Sequence, residues 1–237
     1  MQSRHYLFFS LAIFASSAVA TTAGVPGPNV SATDRSFEYR TSLRPDEGAR
    51  PAEFSHRLHY QHGLSDTRRL RVMAQQGKRE GSDWELRYTR AEYQWQYRKG
   101  AAGGAASALR FDLQLVEGDD EPHFARVAWI TQFNLGDART RFNVFVRRDF
   151  GDRARSGLAL QTRGEMTWRM NEQRIGFQMF NGFNTTSDIG GFDEQSHQIG
   201  PVLSGRAGEW RWFASYLAGV SDRAPDGAVR FFIGRSL

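Results

Sequence analysis

Strict alternation of apolar and polar residues between positions 125 and 149 is the feature that most restricts the fold of this chain. One set of alternate positions carries Trp129 and Phe142, whereas the other is rich in arginine and amides. Successive side chains of a β-strand point to opposite faces, so this period of two predicts strands. Segment 135–138, with Gly-Asp at its centre, predicts a tight turn and therefore a β-hairpin. A single hairpin does not show what its apolar face contacts.

Alternation of the same kind divides most of the chain into twelve segments. The phase slips between Tyr88 and Tyr93, which predicts a β-bulge there. Connections after odd-numbered segments are the longer ones, apart from the glycine-alanine run 100–106. The segments are 36–43, 53–61, 68–75, 84–98, 108–116, 124–134, 139–148, 157–169, 174–183, 196–204, 209–220 and 228–235. This pattern predicts an all-β fold, a transmembrane antiparallel up-and-down β-barrel of about 12 strands.

The beginning of the chain differs from the rest. Residues 1–20 combine a basic start, a short apolar run and Ala-Val-Ala at the end, which predicts a secretory signal peptide. The apolar run is too short for the roughly 20 residues of a membrane-spanning helix. Segment 21–35 is rich in Gly, Pro and Ser without periodicity, so we expect a flexible N-terminal stub, followed by a barrel over 36–237. The chain has no cysteine, so an exported form has no disulfides.

Large aromatic residues recur near the ends of segments that meet on one side of the predicted barrel. If the chain starts in the periplasm, they form a girdle at the level of the lipid headgroups. The alternative is a soluble β-sandwich with these residues in its core, although such a core does not sort aromatic residues by strand end. A sheet facing lipid must also close, because unpaired backbone groups in hydrocarbon are costly. The predicted girdle residues are Trp95, Phe133, Trp168, Trp210 and Trp212.

The inward-facing set follows by alternation once the apolar set is assigned to lipid. It contains many more arginines than carboxylates, although the whole chain has a formal net charge of only +5. The inward carboxylates are Glu38, Glu85, Glu92, Asp112 and Glu165. The arginines predicted to bind anions in the lumen are Arg40, Arg57, Arg69, Arg71, Arg87, Arg110, Arg126, Arg141, Arg147, Arg163, Arg174, Arg211 and Arg230, and Arg98 and Arg169 also have the inward phase.

Such a wall has a direct electrostatic consequence. Arginines on a rigid pore wall create a positive potential that concentrates anions, and their planar guanidinium groups bind carboxylate or phosphate. We therefore expect a narrow passive channel that favours small anionic solutes. The alternative is a non-transporting structural or scaffolding barrel, in which arginines pair with residues such as Glu85, Asp112 and Glu165 and fill a lumen that about 12 strands leave slim.

The mature chain as a whole resembles the outer-membrane β-barrel proteins of Gram-negative bacteria, including a final segment, 228–237, like their last strand. It departs from their usual form by ending on Leu237 instead of an aromatic residue. Segment 108–137, with its FNLGD turn, is similar to the small monomeric 12-stranded porins for acidic oligosaccharides, the oligogalacturonate and sialic-acid porin family. The resemblance implies an outer-membrane location, contact with its lipid and lipopolysaccharide, and assembly by the barrel-assembly machinery.

A lipid-modifying enzyme is the third hypothesis. The Ser55-His56 and Ser196-His197 pairs and His59 could form a Ser-His site with Asn184 or Asp188. His56 and His197, however, lie on the lipid-facing register, where histidine is more often an interfacial residue. We therefore expect no enzymatic activity.

Cofactors, metals and nucleic acid are not expected either. The chain lacks cysteine, a histidine pair at metal-ligand spacing with a supporting carboxylate, and a phosphate-binding glycine loop. Asp188, Asp193 and Glu194 fit a solvated acidic loop better than a calcium site. Alternation splits basic clusters such as Arg147-Arg148 between the two faces, which disfavours nucleic-acid binding.

Overall fold

A closed β-barrel is formed in the computed structural model, which describes residues 22–48, 50–100, 104–118 and 121–237. The predicted signal peptide, residues 1–20, lies outside the described residues. Each strand pairs antiparallel with its neighbours in sequence, and β1 also pairs with β12. The strands are β1 (Arg35–Arg44), β2 (Glu53–Ser65), β3 (Arg68–Arg79), β4 (Glu85–Arg98), β5 (Ala106–Val116), β6 (His123–Leu135), β7 (Ala138–Phe150), β8 (Ala159–Met170), β9 (Gln173–Thr185), β10 (Ser196–Ala207), β11 (Trp210–Gly219) and β12 (Gly227–Ser236). The predicted 12-stranded up-and-down barrel is confirmed.

The hairpin of β6 and β7 forms as its alternation predicts. Trp129 pairs with Val144, and the ladder continues to Leu135 and Ala138. Only two residues remain for the turn, and Gly136 adopts the positive φ of 57° that such a turn requires. The connections at this end of the barrel are mostly two residues long, whereas those at the opposite end are longer. We call the two ends the short-turn end and the long-loop end.

Apolar side chains cover the outside of the barrel. Trp129 and Phe142 are 41% and 39% exposed, although they are large and apolar. A sandwich would bury them between two sheets, so the sandwich alternative is wrong. The exterior instead forms the apolar surface that a lipid bilayer requires. Among the described residues, no helix is long and apolar enough to cross a membrane.

The five predicted girdle residues all point outward near the short-turn end. Four of them are exposed and one, Trp212, is half-buried. They are Trp95, Phe133, Trp168, Trp210 and Trp212. Their position fits a headgroup belt, and that role remains a prediction.

A bulge interrupts β4, but it lies slightly before the predicted interval. The register shifts where Gln75 and Gln76 of β3 face Tyr88 and Leu86, which leaves Arg87 as the extra residue. Tyr88 therefore turns into the lumen, where its hydroxyl donates a hydrogen bond to Gln75 (2.9 Å). An aromatic ring predicts an outward, lipid-facing position for Tyr88. The sequence pattern therefore places the bulge after Tyr88 instead of before it.

The barrel interior is polar along most of its wall, and an apolar patch lies on β5 to β7. Ala108, Ala128, Ile130 and Phe145, on β5 to β7, are fully buried and contact one another. The guanidinium of Arg126 lies 4.8 Å from the centre of the Phe145 ring. An aromatic face attracts a cation, so this patch supports the charged groups beside it.

Residues 22–34 precede β1, and residues 22–30 lie within the barrel. The main-chain oxygen of Asp34 accepts a hydrogen bond from the Gly63 nitrogen (2.6 Å) near the short-turn end. From Asp34 back to Thr22, the chain runs from the short-turn end into the lumen. There the Thr22 hydroxyl donates a hydrogen bond to the side-chain oxygen of Gln75 (2.5 Å). We call residues 22–30 the luminal segment.

This placement differs from the free, flexible stub expected over 21–35. The described part of that range, 22–34, contacts the wall, and Arg35 already belongs to β1. The physical reason is that inward side chains donate hydrogen bonds to backbone carbonyls. Those bonds give order to a segment that has no periodicity of its own.

Candidate functional site

The thirteen arginines predicted to bind anions all lie on the inner wall. The residues border three cavities of about 590, 220 and 830 Å³ or, for Arg230, contact the luminal segment. They are Arg40, Arg57, Arg69, Arg71, Arg87, Arg110, Arg126, Arg141, Arg147, Arg163, Arg174, Arg211 and Arg230. Strand alternation predicts from the sequence that these side chains face the lumen. It does not predict where the cavities lie.

The cavities follow one another along the barrel. The cavity of about 830 Å³ is bordered by Arg174 and Gly208 at the short-turn end. The cavity of about 590 Å³ extends further in, to Arg57 and Arg163. The cavity of about 220 Å³ shares those two arginines and continues to Glu121 at the long-loop end.

Two buried carboxylates hold a cluster of arginines on β3, β4, β5 and β6. Asp112 contacts Arg110 (2.8 Å) and Arg126 (2.6 Å). Glu92 contacts Arg110 (3.4 Å) and Arg71 (3.2 Å), and Arg90 lies 3.6 Å away. Two negative charges thus face four positive ones, and the remaining excess is positive.

Removing Asp112 should destabilise the barrel strongly. Asp112→Ala leaves Arg110 and Arg126 without their shared buried carboxylate, and breaking such a pair costs about 3–5 kcal/mol. The free energy of unfolding in denaturant, measured in lipid vesicles, checks this value. Glu209→Ala is the control, because Glu209 is exposed in its pair with Arg235 and should change stability by less than about 1 kcal/mol. Equal stabilities of the two variants would contradict the prediction.

Glu165 forms a second cluster nearer the short-turn end. Its Oε1 atom lies 3.3 Å from both Arg139 and Arg141, and its Oε2 atom accepts a hydrogen bond from Gln178 (2.6 Å). One carboxylate again serves two arginines. The positive excess therefore continues toward this end of the barrel.

Five of the predicted lumen arginines have no carboxylate partner within the described ranges of the chain; Arg174 and Arg211 lie toward the short-turn end, whereas Arg57, Arg163 and Arg230 contact the luminal segment. Those last three lie on separate strands and bind neutral oxygens instead. Arg57 donates to the Tyr88 hydroxyl (2.9 Å), and Arg230 donates to the Ser215 hydroxyl (2.8 Å). The guanidinium of Arg163 lies 4.6 Å from the centre of the Phe145 ring. Their guanidinium groups thus have no acid in direct contact.

At the long-loop end, acidic and basic groups are more evenly matched. Asp149 contacts Arg147 (2.6 Å) and Arg155 (2.8 Å), and Arg44 contacts Glu53 (3.2 Å). Burial raises the pKa of the loop carboxyl of Glu121, outweighing the attraction of the nearby arginines. The unmatched positive charge is therefore deeper in the barrel.

Several wall residues were missed by the sequence analysis. Arg90 is in phase with Glu92 and could have been found by counting in twos from that residue. Gln94, Asn143 and Gln178 also face inward, but an amide carries no charge that would single it out. Their importance comes from hydrogen bonds that only the folded barrel shows.

The histidines considered for hydrolysis do not form one site. The His56 ring packs edge-on against Trp84 (4.9 Å between ring centres) on the outside. His59 faces the lumen on the same strand, and His197 stacks on Phe192 (4.5 Å) at β10. No described contact connects these three rings, so the structure does not support the Ser-His arrangement.

The architecture defines a class of protein. A closed up-and-down barrel of antiparallel strands, apolar outside and polar inside, is the fold of transmembrane β-barrels of the outer membrane. No family model matches the chain, and no curated protein is similar to it in sequence.

Solved structures narrow the class to the fold of small outer-membrane porins and channels. The chain resembles the KdgM porin (TM-score 0.60, 14% identity, covering 85% of this chain and 99% of that one). It also resembles the COG4313 outer-membrane channel from Pseudomonas putida F1 (0.64, 8%, 90% and 99%). A third similar structure is the NanC porin (0.58, 11%, 85% and 98%). The predicted resemblance to these porins is confirmed at the level of the fold.

Proposed function

We propose that this protein is a passive channel of the outer membrane that favours small anionic solutes. The observation that carries the proposal is that three arginines deep in the lumen, Arg57, Arg163 and Arg230, have no carboxylate partner in the described part of the chain. They border or contact the space along which a solute would move. Fixed positive charge in a confined, water-filled pore concentrates anions and excludes cations.

The arrangement of the arginines also suits transfer from one site to the next. Arg163 and Arg57 border the same two cavities, while Arg141 and Arg211 border the cavities closer to the short-turn end. A guanidinium binds carboxylate or phosphate through paired hydrogen bonds, and several such sites in series let an anion leave each one again. No cofactor is needed for such a role.

The structural neighbours support a channel. The KdgM porin has also been solved in complex with disordered oligogalacturonate, and that structure has a TM-score of 0.59 to this chain at 14% identity. A similar passage of acidic solutes through this barrel is part of the proposal. Outer-membrane lipid, lipopolysaccharide and the barrel-assembly machinery are its proposed partners during insertion and in place.

Ion selectivity tests the proposal. The chain from residue 21 onward is inserted into planar bilayers, and the reversal potential is measured across a KCl gradient. We expect chloride to be at least about fivefold more permeant than potassium at low salt, and the ratio to approach one near 1 M, where the screening length is about 3 Å. The permeability ratio is measured on open channels, so it does not depend on the fraction of time for which the channel is open.

Arg68→Gln is the matched control for this measurement. Arg68 belongs to the outward set of β3 and is exposed, so its loss should leave the permeability ratio unchanged. Potassium preference, or a ratio that does not depend on salt, would contradict the proposal.

A structural barrel without transport is the second candidate, favoured by the luminal segment and by the buried clusters around Asp112 and Glu165. It requires a lumen that stays closed in the unaltered chain, with or without an anionic solute. Conductance of the unaltered chain in planar bilayers would exclude it.

A further inference from the structure

The luminal segment makes regular contacts with the barrel wall. Seven consecutive carbonyl oxygens, from residues 22 to 28, each accept at least one hydrogen bond from an inward side chain. The bonds run from Arg57 to Thr22 (2.6 Å), Arg230 to Ala23 (2.6 Å), Arg163 to Gly24 (3.1 Å), Arg141 to Val25 (3.4 Å), Asn143 to Pro26 (3.1 Å), and Gln94 to Gly27 (3.2 Å) and Pro28 (3.0 Å). A loosely placed stub would not satisfy every carbonyl in turn.

These donors lie around the barrel instead of along one side. Followed from residue 28 back to 22, the segment contacts β4, then β7, β8, β12 and finally β2. This is also the order in which these strands follow one another around the closed barrel. The segment therefore follows the inside of the wall around most of the barrel and occupies part of the lumen.

The composition of the segment suits this position. Cβ atoms added at Gly24 and Gly27 would lie 3.0 Å from Arg40 and 3.1 Å from Arg141, so larger residues would crowd the arginines. Val25 is only 5% exposed and packs against Phe180 and Leu217 of the wall. Gly24 and Gly27 thus leave room for the guanidinium groups, while the Val25 side chain packs against the wall and holds the segment in place.

The wall is adapted to the segment at its entrance. A Cβ atom at the inward position Gly63 would lie 2.0 Å from the main-chain oxygen of Ser31. Only glycine leaves room for the chain to turn into the barrel there. The cavity of about 590 Å³ is bordered by residues 23–27 and 29–31 of the chain, and the cavity of about 220 Å³ by Thr22 and Ala23. The start of the segment, at Thr22 and Ala23, therefore lies between the two spaces.

We propose that the luminal segment is a built-in plug that closes the channel by occupying its anion-binding arginines. This inference rests on the proposed function and concerns its regulation. Arg57, Arg163 and Arg230, which have no carboxylate partner among the described residues, all bind carbonyls of the segment. A diffusing anion and the segment compete for the same donors, and a charged acceptor bonds more strongly than a neutral carbonyl. Anions therefore shift the plug toward the open state.

Occupancy of the lumen is tested by labelling. The chain has no cysteine, so Val25→Cys and Thr33→Cys each create a single reactive site. Val25 is buried between segment and wall, whereas Thr33 is exposed near the short-turn end. We expect a membrane-impermeant maleimide to label residue 25 about 100-fold more slowly than residue 33. Equal labelling rates would overturn the proposal. Cysteine is close to valine in size, so Val25→Cys reports whether the luminal segment occupies the lumen without disturbing the barrel.

Closure is tested by conductance. Val25→Lys places a cation among Arg141, Arg163 and Arg230 and should expel the segment, whereas Thr33→Lys adds the same charge at an exposed position. We expect at least about tenfold more conductance from Val25→Lys than from the unaltered chain, and no change from Thr33→Lys.

A synthetic peptide of residues 22–30, TAGVPGPNV, should block the opened channel, and a peptide with the prolines moved should not.

The outcomes separate this inference from the proposed function. If Val25→Lys conducts no more than the unaltered chain, the plug is contradicted, whatever the ion selectivity. If Val25→Lys opens the channel but the open state prefers potassium, the plug stands and the anion channel fails.

Discussion

Replacing both Arg163 and Arg230 with glutamate is expected to abolish the anion preference of the open channel. Neither arginine has a carboxylate partner, so each contributes an uncompensated charge to the lumen, and the double variant changes the local charge by four units. A unit charge about 4 Å from an ion contributes about 1 kcal/mol even at the dielectric constant of water. We therefore expect the chloride-to-potassium permeability ratio to fall by at least about tenfold.

The measurement is made on a chain that lacks residues 22–30, because both arginines contact the luminal segment and a lysine at position 25 would pair with the new glutamates. This background separates ion selectivity from release of the plug. Arg68→Glu together with Arg235→Glu is the control, since both arginines are exposed on the outward set. If the control lowers the ratio as much as the lumen variant does, selectivity does not arise from Arg163 and Arg230.

The barrel and its inward arginines were predictable because lipid and water impose opposite demands on alternate residues. In the hairpin 125–149, Trp129 and Phe142 face outward, while Arg126 and Arg141 face the lumen. A membrane barrel keeps this contrast along the whole strand, so a period of two also assigns each side chain to a face. Closure followed from the cost of unpaired backbone groups in hydrocarbon.

The bulge at Arg87 could not be located from the period of two alone. One extra residue shifts the phase, and Tyr88 turns inward although an aromatic ring on this barrel usually faces lipid. Arg90 then falls on the lumen side with Glu92. Sequence alternation indicated that a slip occurs, but only strand pairing locates it.

The luminal segment could not be predicted from its own residues. Its order comes from donors such as Arg57, Gln94 and Asn143, which lie on three different strands. Backbone carbonyls are the same in every sequence, so a site that binds them leaves no pattern of side chains. Gly63, which admits the chain near Ser31, looks like any other strand glycine until the fold is known.

Gly200→Ala should prevent the barrel from forming, or destabilise it severely. A Cβ atom at this position would lie 1.9 Å from the main-chain oxygen of Tyr216 on the adjacent strand. That oxygen belongs to the backbone and cannot rotate away, so β10 and β11 would have to separate. The pairing between these strands is already interrupted at Gly200 and Pro201, where proline has no N–H to donate.

The cost of forcing these strands apart should exceed about 3 kcal/mol, the upper range for overpacking that side chains can absorb. Folding yield into lipid vesicles, followed by denaturant unfolding of the folded fraction, measures it. Gly182→Ala is the matched control on β9, because its added Cβ atom meets nothing closer than 3.8 Å and should leave stability within about 1 kcal/mol of the original. Normal folding of Gly200→Ala would mean that β10 and β11 are further apart than the geometry described for the Tyr216 carbonyl.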